Sequence, residues 1–420
     1  MNFKRIKFIK SSFLFFYLTI GLSAQQDVIV QAPDNIKTIV FRSTATNNYT
    51  SNIKLGQRLV LKFDDLNDNN TEYSYKITHY DYNWQPSNLL ETEYINGYDS
   101  DYIRDYESSF NTLQPYTHYT LAIPNKNTQI KLTGNYVISI LDENNKVIFA
   151  RPFIVYANLV NVAVSVHKSR NISSINTKQV VNFSILHDDL LINNPNEEIK
   201  VAIYQNNDYH TVIKNLKPQF SRGSQLIYKY DKETSFWGNN EFLWFDNKEI
   251  RNPINNIAKT RLDGIYNTYL YVDEMRANKP YTYYPDINGN FVVRTIDEEN
   301  SATEADYSWI HFYLDAKAYD DSNDIYIYGD FNGRQLTEEN RMNYDKTQQL
   351  YTGKLLLKQG FYNYLYAVQN NDGTVNQHDI PGSFYQTENN YTVFVYYRPF
   401  GSKYDQVIGY GYANSEDLRN

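Results

Sequence analysis

Short runs in which β-branched and aromatic residues alternate with polar ones recur along this chain, and this two-residue period limits its fold most. VNVAVSVH (Val160–His167) and QVVNFSIL (Gln179–Leu186) put every second side chain on one face, as antiparallel strands do. Clusters of Asn, Asp and Gly separate such runs and supply turns. Tyrosine, a strand-favouring residue, occurs 41 times in 420 residues, whereas Met occurs only 3 times. No helix longer than about two turns is expected; the one candidate is TEENRMNY (Thr337–Tyr344). In FYNYLYAV, Tyr362, Tyr364 and Tyr366 share a face with Val368, opposite Leu365 and Ala367. With one face as core, some of these tyrosines would be paired across strands or exposed.

The expected class is all-β, a tandem array of immunoglobulin- or fibronectin-like β-sandwich domains. Residues 1–24 read as a removable leader. Lys4, Arg5, Lys7 and Lys10 precede the apolar run Phe13–Leu22, and Ser23–Ala24 offer small residues before Gln25. Residues 25–157 form the first module, with expected strands at Ile36–Phe41, Leu55–Phe63, Tyr73–Tyr80, Tyr116–Ile123, Asn135–Leu141 and Val147–Tyr156. Pro152 places the last of these at an edge or a bulge. Residues 158–304 form a second module, in which Asn288–Gly289 is the strongest hairpin signal. Residues 305–420 form the third.

Composition excludes several functions. The chain has no cysteine, so lipid anchoring through a thiol, disulfides and thiolate metal sites are ruled out. Its net charge is −8, and the leader carries four basic residues and no acidic one, so the remainder is more acidic still. Such a surface repels nucleic acid. The seven histidines are scattered, with no His-Glu-x-x-His pattern, and His187-Asp188-Asp189 reads as a polar turn. Asp65, Asn67 and Asn69, and likewise Asp286, Asn288 and Asn290, have the alternate spacing of a calcium loop but lack its glycine at the sixth position. No nucleophile elbow, phosphate loop or dinucleotide pattern occurs. No catalytic residue, metal, cofactor or small-molecule substrate is expected.

The stretch Tyr75–Thr112 stands apart. It opens as a strand that Pro86 ends near Trp84, and some 30 residues without a clean period follow. Seven carboxylates from Asp81 to Glu107 face only Arg104. A long acidic, aromatic loop on a β-scaffold is suited to touching a partner. Tyr82, Trp84, Tyr94, Tyr98 and Tyr102 are the candidate partner-binding residues. The competing reading is a loop whose aromatics fold back onto their own sheets.

Here the chain also resembles a known family. HYDYNWQPSNLLETEYINGY (His79–Tyr98), SSFNT (Ser108–Thr112), YTHYTLAIPN (Tyr116–Asn125) and TGNYVISI (Thr133–Ile140) are similar to the plug proteins of the type IX secretion system. The likeness continues through GNNEFLWFDNKEIR (Gly238–Arg251), ADYSWIHFYL (Ala305–Leu314) and GSFYQTENNYTVFVYYRP (Gly382–Pro399). It implies a non-enzymatic periplasmic protein without a membrane span of its own. Such a protein binds the periplasmic mouth of the giant outer-membrane β-barrel translocon and seals it when no cargo is present. The alternative is an envelope carbohydrate-binding protein. DIYIYGDFNGR (Asp324–Arg334) with the Leu350–Val368 run resembles a glycogen-binding-type sandwich, although Arg334 stands where tryptophan is usual. That likeness is one of fold.

Overall fold

The structure is a computed structural model describing residues 28–44, 49–296, 299–317, 319 and 323–417. The expected leader lies outside the described residues. The strands assemble into six larger sheets and one two-stranded ribbon.

Near the N-terminus two sheets face each other. One runs in the order Ile36–Ser43, Leu59–Asp65, Thr117–Ile123, Asp105–Ser108. The other runs Ile53–Lys54, Val147–Tyr156, Gly134–Leu141, Ser74–Tyr80, Ser100–Tyr102. Alternate residues Leu59, Leu61 and Phe63 meet Ile77, Ile138 and Phe153 in the core between them. All six expected strands of this region are present. The second starts at Leu59 rather than Leu55, because Gly56, at φ 89°, turns the chain first. Pro152 lies opposite Val137, and the outer side of its strand carries only the Val30–Ala150 bridge and a two-residue parallel pairing.

Beyond residue 157 the sheets cross the expected boundary at 304/305. Ile199–Gln205 pairs with Asn390–Tyr397 along seven positions, from Ile199 opposite Tyr397 to Gln205 opposite Tyr391. A second pair of sheets therefore encloses one core from Val160 to Phe236 and again from Tyr391 to Ile408. The third pair lies wholly inside this interval, its core running from Phe245 to Ile380. Within it, Leu243–Asp246 pairs with Gly360–Gln369, and Ile265–Glu274 pairs in parallel with Tyr307–Asp315. The third unit is thus an insertion in the second, and 158–304 and 305–420 are not separate bodies. Contiguous modules were expected because turn signals are local, whereas strand pairing is not.

Three further expectations change. The Gly360–Gln369 strand is buried on both faces. Tyr362, Tyr364, Tyr366 and Val368 enter the third core, while Leu365 and Ala367 pack on Phe242 and Tyr328. The tyrosines tolerate this because Tyr362 donates to the Lys358 carbonyl (2.6 Å) and Tyr364 and Tyr366 donate to Asp273 (2.8 and 2.6 Å). Asn288 and Gly289 do form a turn with both φ positive, but it leads into Phe291–Val293, which pairs with Phe361 and its neighbours and not with a preceding strand. Thr337–Tyr344 holds no helix; Asn340 closes a turn there by accepting from the Thr337 N–H (2.7 Å).

The first unit is fastened to both others. Tyr80, Val137 and Ile154 on its outer face share a core with Ala202, Tyr204, Phe394 and Tyr396 of the second. Against the third unit, Asp64 lies fully buried, accepting from Lys358 (2.8 Å) and Tyr307 (2.7 Å) and bonded to His118 (2.5 Å). Burial alone would raise the Asp64 pKa; Lys358 and His118 outweigh it and hold the carboxyl below its usual range. Removing one partner of such a pair strands the other charge. Lys358→Met should therefore cost about 3–5 kcal/mol in urea unfolding, and adding Asp64→Asn should recover more than half of the loss. A double variant as unstable as the single one would contradict this account.

Candidate partner-binding surface

The segment after Tyr80 is shaped by a tight turn. Asp81 accepts from the backbone N–H groups of Asn83 (2.8 Å) and Gln85 (2.9 Å), and Trp84 adopts φ 60°. Tyr80 then bridges to Pro86. This turn sends Tyr82 and Trp84 inward, where they are 1% and 5% exposed. The Tyr82 hydroxyl donates to the Val201 carbonyl (2.7 Å) and accepts from the Asn215 N–H (3.0 Å). Its ring meets Tyr396 edge-on at 4.9 Å, and burial pushes its phenol up to about 12. Trp84 packs edge-on against Tyr209 at 5.6 Å. Tyr94, also buried, lies against His79 and Tyr136.

Three of the five candidate residues, Tyr82, Trp84 and Tyr94, therefore fold back onto the sheets and are closed to a partner in this conformation. The reason is that the segment is not structureless. It holds a helical turn, Glu91–Tyr94, and three short strands, two of them added to the sheets beside Ser74–Tyr80 and Thr117–Ile123 and the third paired with Thr128–Ile130 in the two-stranded ribbon. Tyr98 and Tyr102 are open, at 70% and 53% exposure. Tyr106 and Phe110, which were not among the candidates, are open as well. The signal was there: these four aromatics recur every fourth residue. Asp105 and Glu107 flank Tyr106 in an exposed edge strand. Asp101 is clamped by Arg104 through two bonds of 2.8 Å, which holds its carboxyl well below the usual range and fixes the turn. The open part is thus an acidic edge carrying rings, able to bury apolar surface while donating hydrogen bonds.

A second feature lies where the three units meet. A cleft of about 630 Å³ is lined by Thr50, Asn206, Glu241, Asp286, Asn288 and Glu388, among others. Glu241 accepts from the Tyr281 hydroxyl and the Glu388 N–H, and Asn288 donates to Glu388 (2.7 Å). Burial pushes Glu241 and Asp286 up to about 7. Among the described residues no cluster of His, Asp and Glu is arranged to hold a metal ion. Asp65 and Asp286 of the calcium-like stretches serve as turn acceptors, for Asn67 (3.0 Å) and Asn288 (2.6 Å). Arg334 is 6% exposed and donates to the Asn288 carbonyl (2.7 Å), so the position of the usual sugar-stacking ring faces inward.

Two expectations can be measured here. Trp84→Ala should cost about 3–5 kcal/mol of stability, while Tyr98→Ala and Tyr102→Ala should each stay within about 0.5 kcal/mol; denaturant midpoints report both. Glu241 binds its proton more tightly folded than unfolded, so between its ordinary 4.5 and about 7 stability falls as pH rises. Glu241→Gln should consequently gain about 1–3 kcal/mol relative to the parent on going from pH ~5 to pH ~8. A pH-independent difference would contradict the assignment.

Residues 36–157 match the family model described as Type 9 secretion system plug protein 1st domain. A solved structure is similar over nearly the whole chain, the crystal structure of a hypothetical protein from Parabacteroides merdae. It is 30% identical, with a TM-score of 0.88, covering 92% of this chain and 98% of the other. No curated protein matches.

Proposed function

The chain belongs to the type IX secretion system plug protein family, and on that premise we propose that it is a non-enzymatic stopper for the outer-membrane translocon. Family membership supports a location in the cell envelope, and none of its described helices is long and apolar enough to cross a membrane. In this reading it works in the periplasm, binds the periplasmic mouth of the wide β-barrel and seals it while no cargo is present.

The observation that supports this most is the fastening of the three units. A large barrel encloses a lumen that leaks unless something fills it. A filler joined by flexible linkers would deform under a passing solute. Here the shared core around Tyr82 and Tyr396 ties the first unit to the second, and the Asp64–Lys358 pair ties it to the third. The nested insertion binds the second and third together. We assign the first unit, and the second pair of sheets, to immunoglobulin-type sandwiches, broad and stiff enough for this task. Tyr98 and Tyr102, joined by Tyr106 and Phe110, form the contact with the barrel rim. An interface of roughly 1,200–2,000 Å² would suit a stopper that has to release.

Purification of a tagged chain from the native envelope tests the reading. The barrel should accompany the parent protein, and Tyr98→Ala/Tyr102→Ala/Tyr106→Ala should reduce its recovery about tenfold or more. Undiminished recovery with the triple variant would move the contact elsewhere. Cells lacking the protein should admit bulky solutes; unaltered permeability would rule out sealing.

A further inference from the structure

One open sheet face of the third unit gathers cations near its middle, with Asp263 at one end and Glu274 and Asp315 at the other. Its strands run in the order Ile257–Asp263, Ile265–Glu274, Tyr307–Asp315, Leu350–Lys358, Asn343–Asp345. Ile310, Phe312, Leu314 and Leu355 fill the inner face. On the outer face one row crosses four strands: Lys259 opposite Tyr269, Tyr269 opposite His311, His311 opposite Lys354. In the next row Arg261 lies opposite Asn267, and Asn267 opposite Trp309.

The row is built with care for its cations. Tyr269 and His311 stack at 4.2 Å and 10°. The Lys259 ammonium caps the Tyr269 ring at 4.5 Å, and Lys354 caps Trp309 at 4.7 Å. His311 donates its Nε2–H to the Asn267 side-chain oxygen at 3.0 Å, and burial together with both lysines depresses its pKa, so it stays neutral and leaves the charge to the lysines. Lys259, Arg261 and Lys354 are exposed. They carry no ion pair among the described residues, whereas Lys37 and Arg341 at the rim are already paired with Glu339 and Glu338.

Two points choose the ligand. Tyr269 has His311 stacked on it and the Lys259 ammonium over its ring, and Lys354 lies over Trp309, so a sugar ring would have to displace these contacts to stack, whereas an anion meets the ammonium groups directly. Anions are favoured over neutral glycans. In addition, Ile257–Asp263 is the outermost strand of its sheet, with a free row of backbone donors and acceptors beside Lys259 and Arg261. A free edge recognises polypeptide backbone, which lipids and polysaccharides lack. The geometry points to a docking site for an acidic protein partner, whose extended segment completes the Ile257–Asp263 edge while its carboxylates meet Lys259, Arg261 and Lys354. The cations also keep a second copy of the same edge from pairing there. This site adds to the proposed barrel contact and is tested without the barrel.

A labelled peptide of about ten residues alternating Glu and Val serves as probe, against the purified chain. It should bind, weaken as salt is raised, and lose about tenfold or more in affinity with Lys259→Gln/Lys354→Gln. The exposed pair Lys126→Gln/Lys146→Gln, in the first unit, should leave binding unchanged. Absence of binding, equal binding of the Gln/Val peptide, or equal loss with the control pair would overturn the site. Tighter binding of polygalacturonate or of phosphatidylglycerol vesicles would overturn the assignment to a protein. Failure of the tagged chain to recover a barrel would sink the proposed function and leave these results standing.

Discussion

Asp64 and Lys358 come from opposite ends of the chain and share a site from which water is excluded. Each charge is tolerable there only because the other is 2.8 Å away, with His118, Tyr307 and the Ala302 carbonyl completing the shell. Packing alone would let the first and third units slide or settle at neighbouring angles. A buried pair does not allow this, because any displacement that separates the charges leaves both desolvated. The pair therefore adds less to net stability than it does to uniqueness of arrangement. Everything read from the structure about an extended, stiff surface depends on that uniqueness.

The junction between the first and second units uses other means. There Tyr82 acts as a peg: its ring fills an apolar socket against Tyr396, and its hydroxyl satisfies the Val201 carbonyl and Asn215 N–H at the bottom. Tyrosine suits such joints because it removes a large apolar area from water and still ends in a group that can pair with backbone. The same logic explains why a strand can carry Tyr362, Tyr364 and Tyr366 in succession on a fully buried face. Asp273 supplies the acceptor for two of them, and burial raises its own pKa to about 6. Abundant tyrosine is thus mostly an interior device here, with the exposed rings confined to a few edges.

Period-two alternation made the longer strands legible, and the six it marked in the first unit are all present, while short ones such as Ser100–Tyr102 and Asp105–Ser108 escaped it. Pairing was not legible. Nothing local in Ile199–Gln205 says that its partner lies at Asn390–Tyr397, since a sheet registers through backbone groups that every residue has. The candidate surface was half legible. Loop length and acidity marked a segment that does carry open rings, Tyr98 and Tyr102 among them. Tyr82 and Trp84 went inward because Asp81 closes a turn beneath them, a backbone event to which ring chemistry gives no clue. Arg334 is another case: it stands where the resembled sandwich usually has tryptophan, and Asn288 and Asp208 hold it inside.

The nesting of the third unit within the second bears on how the protein is made. Ile199–Gln205 lacks its longer sheet partner until Asn390–Tyr397 has also been made. Until then its Val201 and Ile203, which end fully enclosed, remain in solvent. The first unit and the inserted one can close on their own strands, and the middle one closes last, like a clasp. A chain stalled late in synthesis or clipped near its end would thus expose adhesive strands near its centre, far from the break itself. Quality control would meet a damaged C-terminus as an open middle.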